Sequence, residues 1–150
     1  WKIQIPVKVT DAPASWLSTD PREFLINEIS MGNPHCVIFV NDVDHYPVER
    51  IGSYFENHPR FPNRTNVEFV QVIDRNRVKQ RTWERGAGET MACGTGACAT
   101  VVACVLNNST DKNVTVSLKG GDLEIKWSQR TGHVVKTGPA MTVFNGEIEF

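Results

Sequence analysis

The chain has 150 residues, with 16 Lys and Arg against 17 Asp and Glu, for a formal net charge of -1. At 40% hydrophobic and 22% charged residues it has the composition of one globular domain, long enough to bury roughly 70% of its unfolded surface. Such a balance, with no run of Lys or Arg, excludes an electrostatic footprint for nucleic acid, and no apolar stretch approaches the roughly 18 residues of a membrane span.

The opening, WKIQIPVKV, alternates apolar side chains at Ile3, Ile5, Val7 and Val9, which predicts a strand at once. A chain that starts in a strand without an initiator Met reads as part of a longer protein, so a missing targeting segment decides nothing. DPREFLINEI (20–29) predicts a helix start, with Asp20 as cap and Pro21 next. HCVIFV (35–40) is a continuous apolar run, the pattern of a strand buried on both faces. PVERIGSYFENH (47–58) sets Val48, Ile51 and Phe55 at helical spacing and stops before Pro59. NVEFVQVI and RVKQRTWER flank DRN (74–76) as a hairpin, and VTVSL and LEIKW flank KGGD (119–122) as another. HVV, MTVF and EIEF close the chain as short strands.

This gives about eight strands, two short peripheral helices and one apolar helix near 95–106, with no βαβ alternation. A helix apolar on every side has to be enclosed. The predicted architecture is α+β: a curved, mostly antiparallel, barrel-like sheet wrapped around that central helix.

Of the four cysteines, Cys98 and Cys104 fall in the helix-like run 97–106, where buried thiols fit better than bridges. The sequons at 63, 108 and 113 are triplets that arise often by chance, and the reading is of reduced, cytosolic thiols. Cys93, Cys98 and Cys104 lie five and six apart with no Cys-x-x-Cys pair, so no metal site is expected.

Cys93 stands between glycines just before the apolar helix. A helix starting near Gly94 and Thr95 leaves its first N–H groups without internal partners, and the dipole makes that end an anion site. A thiol at the mouth is expected to ionise below its ordinary value of ~8.5, beside a backbone nest for a carboxylate. A cysteine among small residues is more often a packing residue, and neither a phosphate loop nor a dinucleotide fingerprint is present.

The fuller string ERGAGETMACGTGACAT (84–100) closely resembles the second cysteine motif of diaminopimelate epimerases, and MGNPHCV (31–37) and TNVEF (65–69) resemble two further motifs of that family, in order. The resemblance covers essentially the whole chain. It implies cofactor-independent interconversion of L,L- and meso-diaminopimelate in lysine and peptidoglycan precursor synthesis, by two thiols acting on opposite faces of the α-carbon. It implies that residues 1–150 are the C-terminal domain of a two-domain cytoplasmic enzyme, since no CGNG-type motif for the other cysteine occurs here. The N-terminal half would be the partner, residues 141–150 would pack on it, and the joined protein would form a homodimer. Alone, the chain would be inactive.

By the same resemblance, Cys93 is a catalytic acid/base, and Glu84 and His35 lie near the reacting thiols. A His–Glu pair there could receive a thiol proton or hold a substrate ammonium. Asn33, Asn66, Glu84 and Arg85 would bind substrate, with Gly94 and Thr95 donating backbone N–H groups to its α-carboxylate. An Arg fork with amide side chains suits recognition of a carboxylate at fixed distance. The rival readings are a proline-racemase-like isomerase, which shares CGTG but not ERGAGET, a non-catalytic amino-acid-binding domain, and a cysteine-nucleophile hydrolase.

Overall fold

A computed structural model of the chain describes residues 1–10, 13, 14 and 16–149. The elements follow in the order β1 (Lys2–Lys8), β2 (Glu23–Ser30), β3 (Pro34–Phe39), α1 (Val48–Glu56), β4 (Asn66–Asp74), β5 (Arg77–Glu84), β6 (Gly88–Thr90), α2 (Gly94–Leu106), β7 (Asn113–Leu118), β8 (Gly121–Trp127) and β9 (Val134–Thr137). All the strands join one open sheet in the order β1-β2-β3-β4-β5-β7-β8-β9, with β6 folded back onto β5. Both predicted hairpins are present, β4 with β5 and β7 with β8.

Two pairs are parallel, β3 with β4 and β5 with β7. Each is bridged by a helix, α1 across the first and α2 across the second. The expectation of no βαβ unit is therefore corrected. Hairpin turns dominate the pattern, and the crossovers are hidden by irregular chain on either side of the helices. All other pairings are antiparallel.

The alternation of side chains explains why β3 reads as continuously apolar. Cys36 and Ile38 point to a cluster with Ile51 and Phe55 of α1, whereas Val37 joins a second cluster with Ala97, Val101 and Cys104 of α2. In β4, Val67 and Phe69 face α1 and Val70 faces α2. The sheet is thus sandwiched at its centre between two helices. Both β2 and β9, from opposite ends of the sheet, touch α2, so the sheet curves around that helix as predicted.

Residues 23–30 are a strand, not the predicted helix. Phe24 and Ile26 alternate into the core, a period of two that the apparent cap obscured. Asp20 instead accepts the Leu17 N–H at 2.7 Å and pairs with the Arg50 guanidinium at 3.0 Å. At the other end only 134–137 of the predicted closing strands pair. Residues 138–149 carry no regular structure, with Met141, Val143, Phe144 and Ile148 exposed, and Phe150 lies outside the described residues. MTVF and the described part of EIEF have the composition of strands, but among the described residues no strand pairs with them.

Candidate active site

The helix begins where the glycines predict. Cys93 is the N-cap of α2 in extended conformation, its Sγ accepting the Gly96 N–H at 3.3 Å and lying 3.6 Å from Thr95 Oγ1. The thiol does not ionise more easily as a result. Burial pushes the Cys93 pKa up, the Thr95 hydroxyl and Gly96 N–H pull against it, and the carboxylates of Glu68 and Glu84 add to the rise. The expected lowering counted only the N–H groups and dipole of the helix end, and the mouth is enclosed, with Cys93 6% exposed.

Parallel pairing of β3 with β4 sets His35 beside Asn66, and alternation sends both, with Glu68, toward α2. His35 is fully enclosed. Its Nδ1 lies 2.8 Å from Glu68 Oε1 and its Nε2 3.1 Å from Asn33 Oδ1. Asn33 in turn donates from Nδ2 to Thr95 Oγ1 at 3.3 Å. One chain of contacts therefore runs Glu68–His35–Asn33–Thr95–Cys93 and joins both motifs at the mouth of α2.

The carboxylate on His35 is Glu68, not Glu84. Glu84 accepts the Thr90 hydroxyl at 2.5 Å and reaches Cys93 and Glu68 only through its charge. Glu68 is buried, its Oε2 has no hydrogen-bond partner, and burial pushes its pKa up against the pull of His35. It also explains Gly96. A Cβ at position 96 would fall 2.6 Å from Glu68 Oε1 and 3.2 Å from Cys93 Sγ, so only glycine lets the carboxylate approach the thiol side of the helix. Glu68 stands in TNVEF, where the resemblance assigns a role to Asn66 alone. The available signal was a charged residue inside the apolar run of β4, on the same face as Asn66.

Arg85 is set by the tight turn from β5 into β6. Gly86 has φ +80°, a conformation that L side chains rarely adopt. Its N–H donates to Glu56 Oε1 at 2.8 Å, and the buried Glu56 carboxylate also accepts from Trp83 Nε1 at 2.7 Å and Arg64 Nη1 at 3.0 Å. Asn66 Oδ1 accepts the Arg85 N–H while its Nδ2 donates to Pro34 O, each at 3.0 Å, so this amide ties the turn to the Asn33 loop. Between them opens a cavity of about 490 Å³ lined by Asn33, Arg60, Arg64 and Arg85, among others. Arg60 pairs with Glu28 and Arg64 with Glu56, whereas Arg85 donates from Nη1 to the Asn63 carbonyl at 3.0 Å. Asn33 lines this cationic cavity and also reaches Thr95 beside the thiol.

Solved structures share this fold. A probable proline racemase from Agrobacterium radiobacter K84 superposes with a TM-score of 0.58 at 10% identity, over 90% of this chain and 45% of that one. A phenazine biosynthesis protein of the PhzF family from Bacillus anthracis gives 0.52 at 21% identity, over 74% of this chain and 37% of that one. In sequence, the chain is 56% identical over 130 residues to the diaminopimelate epimerase of Acetivibrio thermocellus, covering 87% of this chain and 46% of the relative. Against that of Agathobacter rectalis it is 54% identical over 142 residues, covering 95% and 49%. The chain thus spans about half the length of the curated relatives it matches. The family model for diaminopimelate epimerase matches residues 28–143, which hold the Asn33–His35 loop, the Arg85 turn and the Cys93 helix mouth. The chain belongs to the diaminopimelate epimerase family.

Proposed function

We propose that this chain is the C-terminal domain of a two-domain enzyme that interconverts L,L- and meso-diaminopimelate without a cofactor. Cys93 is one of its two acid/base thiols. The observation that carries this reading is the placement of Cys93 as N-cap of an enclosed helix, in contact with Thr95 and through it with Asn33 and His35. Moving a weakly acidic α-proton between opposite faces needs a base on one side and an acid on the other. The second thiol comes from the other domain.

In this mechanism the substrate α-carboxylate sits at the N-terminus of α2, where the N–H groups of Gly94 and Thr95 stabilise the charge that grows on it in the planar transition state. Cys93 gives its proton to the α-carbon in one direction and removes one in the other. Arg85 and Asn33 bind the far carboxylate in the cationic cavity, with Asn66 fixing the turn that carries Arg85. Glu84 lies close enough to the thiol to bear on the substrate ammonium. The apolar residues Met141, Val143, Phe144 and Ile148 dock on the N-terminal domain, and the joined enzyme is a cytoplasmic homodimer. Among the described residues no helix is long and apolar enough to cross a membrane, and all four cysteines are unpaired.

The test is α-proton exchange in heavy water with the L,L isomer, followed by NMR. The two-domain protein should wash deuterium into the α-position and form the meso isomer, Cys93→Ser should abolish this, and the 150-residue chain alone should show neither. Turnover by the isolated chain at the rate of the joined protein would overturn the two-thiol reading. Binding without exchange by the joined protein would leave an amino-acid-binding domain.

A further inference from the structure

We propose that Glu68 belongs to the working site: with His35 it forms a buried pair that shares one proton and sets the ring, through Asn33 and Thr95, against the Cys93 thiol. This rests on the proposed function and gives a role to a residue of the TNVEF stretch to which the resemblance assigned none. The hydrogen-bond network fixes the resting proton. Asn33 donates to Thr95 Oγ1, which turns its Oδ1 toward His35 Nε2. An amide oxygen cannot donate, so Nε2 carries a hydrogen. His35 Nδ1 then faces Glu68 Oε1 at 2.8 Å with one proton between them. The pair is neutral as a whole, as imidazolium and carboxylate or as imidazole and acid.

The other carboxylate oxygen, Oε2, is buried and has no hydrogen-bond partner. His35 is therefore the one side chain that hydrogen-bonds this buried carboxylate among the described residues. The charged or titratable groups that bear on Glu68 are His35 on β3, Glu84 on β5 and, from α2, Cys93. Cys36 on β3 also feels its charge. A thiolate at Cys93 would therefore stand near two carboxylates, and His35 offsets the charge of one of them.

The proton shared with His35 offsets part of the negative charge that opposes a Cys93 thiolate, and no bond is made or broken in doing so. Glu68 does not reach the substrate cavity and is a positioning and proton-holding residue, acting through His35 and Cys93.

Two measurements separate this from a structural role and from the functional reading. In the ¹⁵N-labelled 150-residue chain, the His35 ring shifts at neutral pH should show a hydrogen on Nε2 and a bound or shared proton on Nδ1. In E68Q, which keeps the shape but cannot hold the proton, Nδ1 should become a bare acceptor. In the two-domain protein, E68Q should lower kcat about 100-fold, leave KM little changed, and shift the acid limb of the pH–rate profile for the direction in which Cys93 is the base. E68D, which retains a carboxyl group, should recover part of the rate. A bare Nδ1 in the wild-type chain overturns the proposal, including where E68Q does not fold. So does an E68Q enzyme with kcat within about threefold of wild type and the same acid limb. A wild-type two-domain protein that exchanges no α-proton would instead defeat the functional reading, and the ring shifts would still judge the pair.

Discussion

Gly96→Ala measures how tightly the helix mouth is built. In an ordinary helix this change stabilises by up to about 1 kcal/mol, and less in the first turn, where Gly96 lies. Here the new methyl would fall 2.6 Å from Glu68 Oε1 and 3.2 Å from the Cβ and Sγ of Cys93. Glu68 is fully buried and bonded to His35 at 2.8 Å, so its carboxylate has no open space to swing into. Overpacking of this kind costs about 1–3 kcal/mol, and loosening a charge-assisted hydrogen bond costs about 1.5–3 kcal/mol more. The cost outweighs the propensity gain, and net destabilisation should be at least about 2 kcal/mol, or roughly 4–8 °C or more in Tm for a chain of this size. Gly94→Ala is the control. Its methyl would meet Lys136 Nζ, the end of a flexible and exposed side chain, which can move aside. Thermal melts of both variants with wild type decide the matter. A Gly96→Ala chain as stable as wild type, or one no worse than Gly94→Ala, would refute the packing argument.

Further outcomes follow from the same geometry. Iodoacetamide mapped by mass spectrometry should label half-buried Cys98 before Cys93, with buried Cys36 and Cys104 last; Cys93 first by a wide margin would mean the mouth opens in solution. Glu56→Gln puts an amide N–H where the carboxylate accepts from Gly86, Trp83 and Arg64, and should cost about 1.5–3 kcal/mol, read as a lower urea midpoint. The Arg50 hydrogen bond holds the Asp20 carboxyl below the ordinary carboxylate range, so its contribution is complete above the unfolded value of about 3.9 and is lost as pH falls through the lower folded value. Asp20→Asn should therefore be less stable at neutral pH, with the gap to wild type closing in acid; a gap independent of pH would contradict it. In the two-domain protein, Arg85→Lys keeps the charge but loses the fork and should raise KM with little change in Tm.

Most strands were legible because their periodicity reports burial directly. The apolar run at 35–40 predicts a strand covered on both faces, and Cys36 and Val37 do face different helices. At 20–29 a local signal misled. Asp20 followed by Pro21 resembles a cap, but the alternation of Phe24 and Ile26 belongs to tertiary packing, and packing overrides a cap that has no helix behind it. Parallel pairing was invisible for a related reason. It is set by which strands lie side by side after a crossover, and no spacing within either strand records it.

The site was legible where glycine and cysteine mark the backbone, and opaque where buried charge does the holding. Glu56 and Glu68 look like surface residues in any composition, since charged side chains are rarely enclosed unless paired. Both are enclosed, and each fixes a motif that the sequence did display: Glu56 the turn before Arg85, Glu68 the ring of His35. The thiol itself shows two physical effects in opposition. Helix-mouth hydrogen bonds favour the thiolate and burial favours the thiol, with Glu68 and Glu84 on the side of burial, so at rest Cys93 keeps its proton. In the proposed two-thiol exchange a protonated Cys93 would be the acid, and the opposing cysteine would have to rest as the base. A reaction run the other way would need this proton removed first, and the proton that His35 shares with Glu68 lowers the negative charge opposing that loss.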